Sequence, residues 1–268
     1  MKKITFPIKI NDMKKLTLFI FFCGLLLQSM SVKSQNFAFG VKGGLNAAFL
    51  SAGDRSRNPL VVAYDQRVAP GAAVFVEFKF SDRFSLQPMI EYSSQGGEKE
   101  GLRPFATPDQ IAQTYPPGQA PQYVYANFES ETQLNYLIIP ILAKYAFNVI
   151  KAPFRLYADG GPFVGYMLSA YQVTSGQSQF YTDPDGQHII PGGVQSFNNT
   201  TDIKGQLRRF NLGFEINIGL NFKMGRNNVF AEVGGSFGEL NIQKFSKDGT
   251  NETYANMIQI GYSHWFGK

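Results

Sequence analysis

Residues 210–223, FNLGFEINIGLNFK, alternate without a break. Phe210, Leu212, Phe214, Ile216, Ile218, Leu220 and Phe222 fall on one face. Asn211, Gly213, Glu215, Asn217, Gly219, Asn221 and Lys223 fall on the other. Successive side chains of a β-strand point to opposite sides of a sheet, so this period of two reads as strand. Working outward, segments 36–45, 68–80 and 84–95 keep the same rule, and 134–147, 154–171, 228–240 and 253–266 follow it less strictly. That gives eight candidate strands and no stretch of comparable helical periodicity.

The connections alternate in length. Those near 81–83, 148–152 and 224–227 are short; those near 47–67, 96–129, 172–206 and 241–252 are long. An up-and-down antiparallel transmembrane barrel has short periplasmic turns and long extracellular loops. A sandwich with Greek-key connections gives no reason for such alternation. The fold expected is therefore all-β, an eight-stranded antiparallel up-and-down transmembrane β-barrel.

Alternation alone does not choose the solvent, because a lipocalin-type barrel alternates with its apolar face inward. Three features favour the inverse. The polar face carries Gly40, Gly44, Gly71, Gly161, Gly165, Gly213, Gly219 and Gly234, and a narrow interior needs small residues. Aromatics stand near strand ends on the apolar face, at Phe37, Phe80, Phe84, Tyr92, Tyr145, Phe210, Phe222 and Phe266, as membrane girdles require. The inward charges balance: Lys42, Lys79, Lys144, Arg155 and Arg209 against Glu77, Glu91, Asp159, Glu215 and Glu232. An unpaired buried charge is costly, so five against five reads as a closed structural network filling the barrel, in preference to a proton or ion path. Eight strands leave an interior that side chains can fill, so no open channel is expected.

Composition agrees. The chain has 268 residues, 15% aromatic and only 17% charged, with one cysteine and hence no disulfide framework. No apolar run reaches the length of a transmembrane helix. Of the 25 basic and 20 acidic residues, six and one lie in the first 35 positions, leaving 19 of each. The net charge of +5 therefore belongs to the N-terminal segment and offers no case for nucleic acid. Met13-Lys14-Lys15, the apolar stretch 16–27 and Val32-Lys33-Ser34 form a secretory signal pattern, too short for a membrane span. Residues 1–34 are expected to be a cleaved signal peptide and 35–268 the barrel domain. Because Met13 opens a complete signal by itself, 1–12 read as a gene-model extension. Phe21-Phe22 before Cys23 do not suit a lipoprotein signal.

The sequence resembles a known family. FGVKGGLN at 39–46 looks like the opening strand of PorT-type outer membrane β-barrel proteins of the Bacteroidota. FSLQPMIEY at 84–92 resembles their third strand, with Met89 where the family often has Glu, displacing the acid to Glu91. NYLIIPILAKY at 135–145 and GGPFVGY at 160–166 resemble two further strands. The resemblance spans 36–266. It implies an integral outer membrane barrel and, as one possibility for the family, support of type IX protein secretion. The last strand, IQIGYSHWF at 258–266, is similar to the signal read by the barrel assembly machinery, although Gly267-Lys268 extend past it.

Pro88 and Pro140 lack a donor and should each produce a bulge or a missing ladder bond. No catalytic set is evident. Ser263 and His264 are adjacent and point to opposite faces, and His188 lies in a loop. Asp183-Pro184-Asp185-Gly186 reads as a plain turn in preference to a calcium loop. Neither a cofactor nor a metal is expected. The loops 96–129 and 172–206 read as a solvated cap, with Tyr115, Tyr123 and Tyr125 as a candidate protein-contact patch. The expected role is structural or accessory at the cell envelope, without enzymatic activity. PorT-like support of secretion, and an adhesin or receptor working through the loops, are the alternatives. The expected partners are outer membrane lipid, the assembly machinery and a protein at the loops.

Overall fold

The structure, a computed structural model, describes residues 36–51, 64–147, 153–245 and 249–267. The expected signal peptide 1–34, the extension 1–12 and the start at Met13 lie outside the described residues. In chain order the strands are β1 (Phe37–Leu50), β2 (Arg67–Lys79), β3 (Phe84–Lys99), β4 (Leu102–Ala106), β5 (Tyr123–Asn127), β6 (Glu129–Phe147) and β7 (Phe154–Ser175). Then come β8 (Gln177–Tyr181), β9 (Ile189–Ser196), β10 (Asn199–Asp202), β11 (Phe210–Met224), β12 (Asn227–Gly238) and β13 (Thr253–Phe266). A short helix, α1 (Asp109–Ala112), lies between β4 and β5.

Eight of these strands close a barrel. Each of β1, β2, β3, β6, β7, β11, β12 and β13 pairs antiparallel with the next, and β13 returns to β1, with Phe37 opposite Phe266. Closure leaves the wall without a free edge, so the strands' backbone amides are bonded within the chain. The tight connections that join one wall strand directly to the next, such as the β11–β12 turn with Gly225 at φ 64°, are at one end. The long connections are at the other.

The wall is inverted relative to a water-soluble barrel. Leu212, Phe214, Ile216 and Ile218 are 47, 43, 50 and 55% exposed, while Glu215 between them is 0% exposed. The expected girdle is outside: Phe37, Phe80, Phe84, Tyr92, Tyr145, Phe210 and Phe266 are exposed, and Phe222 is half-buried against Phe154. Phe37 stacks on Phe266 with ring centroids 5.1 Å apart, and Tyr166 meets Phe210 at 5.3 Å toward the long-loop end.

Inside, glycine and aromatic residues are matched across neighbouring strands. Gly40 stands opposite Phe75, Gly213 opposite Phe163, Gly219 opposite Tyr157, and Gly261 opposite Phe230. In each pair the ring lies over the glycine, and a Cβ there would collide with it. The glycines thus make room for four large inward rings in a narrow interior.

Pro88 and Pro140 interrupt the ladder without shifting it. Pairing skips from Phe75–Met89 to Phe78–Leu86, and from Pro140–Phe163 to Ala143–Gly160, with the same register on both sides. The missing donors cost bonds and produce no bulge. The register shift in β6–β7 falls instead between Asn135 and Tyr136, opposite Leu168.

Four shorter strands give the expected cap a regular structure. Strands β4, β5, β8 and β9 form a second antiparallel sheet at the long-loop end, drawn from the loops 96–129 and 172–206. Phe105, Phe128, Phe180 and Phe197 pack together beneath it, with Phe128 stacked on Phe197 at 4.9 Å. Strand β10 lengthens the barrel wall by pairing with the end of β7. A sheet with its own buried apolar cluster is an ordered element, which the Pro-, Gln- and Gly-rich composition of these loops did not reveal.

Candidate functional site

The barrel interior gathers most of the charges expected there. Lys42 on β1 places its Nζ 2.7 Å from Glu232 Oε1 on β12 and 3.5 Å from Glu215 Oε1 on β11. Those strands are two and three places away around the wall, so both pairs run through the interior. Tyr157 on β7 donates to Glu232 Oε2 at 2.8 Å. Asn217 bridges Asp159 and Glu215, donating to each at 2.8 Å. Lys144 on β6 reaches Glu77 on β2 at 3.3 Å and Gln87 at 3.2 Å, and its Nζ lies 4.0 Å from the centre of the Tyr157 ring. Ser85 donates to Glu77 at 2.6 Å. Glu91 is fully buried, and neither carboxyl oxygen has a hydrogen-bond partner among the described residues.

Three of the ten expected network members are elsewhere. Lys79 ends β2 and pairs with Asp82 in the following turn at 3.0 Å. Arg155, at the start of β7, donates to the Asp82 carbonyl at the same rim. Arg209 precedes β11, is exposed, and donates to the outward Tyr166 hydroxyl at 3.4 Å. Facing alternates reliably only within a strand; at its ends a long cationic side chain reaches whichever acceptor is near. The buried centre therefore holds five carboxyl groups against two lysines, not five against five. Hydrogen bonds from Tyr157, Asn217 and Ser85 supply part of what the missing cations do not.

Arg67 was not anticipated. It opens β2, is buried, pairs with Glu131, and donates to Ser94 Oγ at 3.0 Å and the Gln95 carbonyl at 3.2 Å. Extending the alternation one residue back from Val68 would have placed it with Ala69 and Gly71 on the inner face.

The tyrosine patch is divided. Tyr123 and Tyr125 are half-buried on one side of β5, and Tyr125 pairs with Tyr181 of β8. Tyr115 instead packs against the cap cluster of Ile111, Val124 and Ile190. The 183–188 segment is a turn: Asp183 accepts from the amides of Asp185, Gln187 and His188 at 3.1, 3.1 and 2.7 Å. Those backbone donors, with the Gln187 amide foremost, hold its carboxyl below the usual range. The His264 ring and the Tyr262 hydroxyl both meet Asn227 Oδ1 at 2.7 Å, an arrangement without a nucleophile.

A family model described as outer membrane protein beta-barrel domain matches residues 28–242. The chain belongs to that family. This outer membrane barrel crosses the bilayer with strands, and no helix among the described residues is long and apolar enough to cross it. No curated protein matches it in sequence. Among solved structures it is similar to Neisserial surface protein A, at 11% identity and TM-score 0.36, covering 86% of this chain and 97% of that one. It is similar also to Ail, the attachment invasion locus protein of Yersinia pestis, at 11% identity and TM-score 0.31, covering 85 and 98%. The N-terminal β-barrel domain of Pseudomonas aeruginosa OprF gives 12%, 0.32, 87 and 100%.

Proposed function

We propose that this barrel is a closed, non-enzymatic component of the cell envelope, with a structural or accessory role and no open channel. One observation carries the reading: Lys42 is held by Glu232 and Glu215 through the interior, and Tyr157 closes on the same carboxylate from another strand. The four inward rings over glycines occupy further cross-section. A cylinder so filled offers solutes no continuous water path. Insertion of the purified protein into planar bilayers tests this. The expected record is a baseline free of long-lived conductance steps, and sustained unitary steps would overturn the reading.

The export signal at 1–34 and the aromatic last strand support delivery by the secretory route and the barrel assembly machinery. The PorT-type resemblance at 39–46, 84–92, 135–145 and 160–166 supports a finer version, in which the accessory role is support of type IX protein secretion. Its test is the secretome of a deletion strain, where specific loss of secreted proteins is the expected outcome and an unchanged secretome counts against it. A second reading, adhesion or reception at the cap, is favoured by strand β9. That strand is an edge of the cap sheet and exposes Ile189 and Val194 at 56 and 60%. An exposed apolar edge strand is a ready partner for another chain.

A further inference from the structure

At the long-loop end, two segments meet on the outside of the wall and form a cleft of about 440 Å³. One is 203–209, leading into β11; the other is 239–245, following β12. They are fastened by backbone bonds from Arg208 N to the Ile242 carbonyl at 2.8 Å and from Lys244 N to the Gln206 carbonyl at 3.2 Å, around a bridge between Leu207 and Gln243. Leu207 and Ile242 turn inward and are buried in the interior apolar cluster, which anchors both segments. Their neighbours turn outward. The cleft is lined by Lys204, Arg208, Arg209 and Lys244, with Phe210 and Leu240 as apolar walls.

Four cationic side chains line one cleft, and no acidic residue is among its lining. Of the nearby acids, Asp202 is engaged by the Lys204 amide at 2.8 Å, and Glu239 sits outside the lining. Lys204 donates to the Leu168 carbonyl, a backbone group of the outward face where the β6–β7 register shifts. Lys244 donates to the Gly205 carbonyl at 3.2 Å, which ties the two segments together. Each ammonium is thus positioned by a backbone carbonyl, and no carboxylate among the described residues pairs with it. On the side toward the membrane the cleft runs into the outward belt. Phe210 is 64% exposed, is in edge contact with Tyr166, and Tyr166 accepts from Arg209.

A cluster of cations directly above an aromatic girdle meets the headgroup zone of a bilayer. We propose that this cleft binds the phosphate groups of a phosphorylated glycolipid in the outer leaflet, with Arg208 and Arg209 as fork donors and Lys204 and Lys244 as point charges. Guanidinium matches phosphate geometry in a bidentate manner, and ammonium contributes charge without that constraint. The apolar walls distinguish a lipid from free phosphate, because Phe210 and Leu240 give the first acyl carbons a surface continuous with the belt. The inference rests on the long loops facing outward and is independent of any role in secretion or adhesion.

Native mass spectrometry of the detergent-solubilised barrel tests it, with three probes: diphosphorylated lipid A, lipid A stripped of both phosphates, and inorganic phosphate. The wild-type protein should retain the diphosphorylated lipid and lose about tenfold or more in affinity for the stripped one, as befits charge-assisted bonds. R208Q/K244Q should show a similar loss, while K223Q/R226Q, with equal charge removed at the opposite end, should leave binding unchanged. Equal retention of the two lipids, or equal losses in both double variants, would overturn the proposal. Competition by millimolar inorganic phosphate as effective as that by the lipid would overturn the lipid assignment. Should R208Q/K244Q fail to give a heat-modifiable folded band, the comparison of lipids on wild-type protein still decides. Conductance and secretion assays of the proposed function are unaffected by either result.

Discussion

Replacing Lys42 by methionine removes the cation that two buried carboxylates share. Its Nζ lies 2.7 Å from Glu232 and 3.5 Å from Glu215, with all three side chains at 0–1% exposure. Methionine keeps much of the lysine volume, so the variant tests charge more than packing. Of the two lysines at the buried centre only Lys144 then remains to oppose the five carboxyl groups, since Arg67 is held by Glu131 toward the long-loop end. Breaking a buried pair by removing one partner costs about 3–5 kcal/mol, because the remaining charge stays desolvated. Here the upper part of that range is expected, since the excess of carboxylates grows. K42M/E232Q removes charge from both partners while Tyr157 keeps an oxygen to donate to. It should recover about 1–3 kcal/mol relative to the sum of the single variants. The assay is urea unfolding of the refolded barrel in detergent, followed by Trp265 fluorescence and by the heat-modifiable gel shift. A cost below about 1 kcal/mol for K42M, or strict additivity in the double variant, would refute the reasoning.

Three other outcomes are expected. G219V puts branched carbons where the Tyr157 ring lies and should destabilise the barrel by about 1–3 kcal/mol in the same unfolding assay, whereas Y157F, which loses only the bond to Glu232, should cost about 1.5–3 kcal/mol. F197A should open the cap sheet to protease, because Phe197 contacts Phe105, Phe128 and Phe180, while the barrel keeps its heat-modifiable mobility. The Asp183 turn should be pH-dependent. A carboxyl whose folded pKa is depressed contributes fully above its ordinary value of 3.8, and that contribution is lost as the pH falls further through the folded value. Amide exchange at Gln187 and His188 should therefore accelerate only in that acid window.

The barrel was legible because a closed wall between apolar surroundings and a packed interior forces a period of two on every strand. Segment 210–223 obeys it at each position, and its facing is the one observed from Phe210 to Leu220. The interior was only partly legible, since the rule assigns a side but not a depth. Lys42, Lys144 and the five acids are buried at the centre, while Lys79 and Arg155 stand at the short-turn rim and Arg209 is exposed, where strand ends release long side chains to turns and rims. Glycines were read as space for a narrow interior, but their matching to Phe75, Phe163, Tyr157 and Phe230 depends on register between strands, which no single strand encodes. The prolines were expected to break the ladder, and they do, while the actual bulge at Asn135/Tyr136 carries no proline or glycine mark. The cap sheet stayed hidden because strands of four to eight residues with Pro, Gln and Gly carry too few alternations to rise above loop composition.

The central claim is the inversion of the wall, and site-directed spin labelling of β11 tests it most directly. In the barrel domain 35–268, whose sequence holds no cysteine, labels placed singly at Leu212, Phe214, Ile216 and Ile218 in lipid vesicles should be accessible to dissolved oxygen and shielded from a water-soluble nickel chelate. Labels at Asn211, Glu215 and Asn217 should be immobilised and protected from both. Nickel access along the even-numbered positions, or oxygen access at Glu215 equal to that at Ile216, would contradict the account.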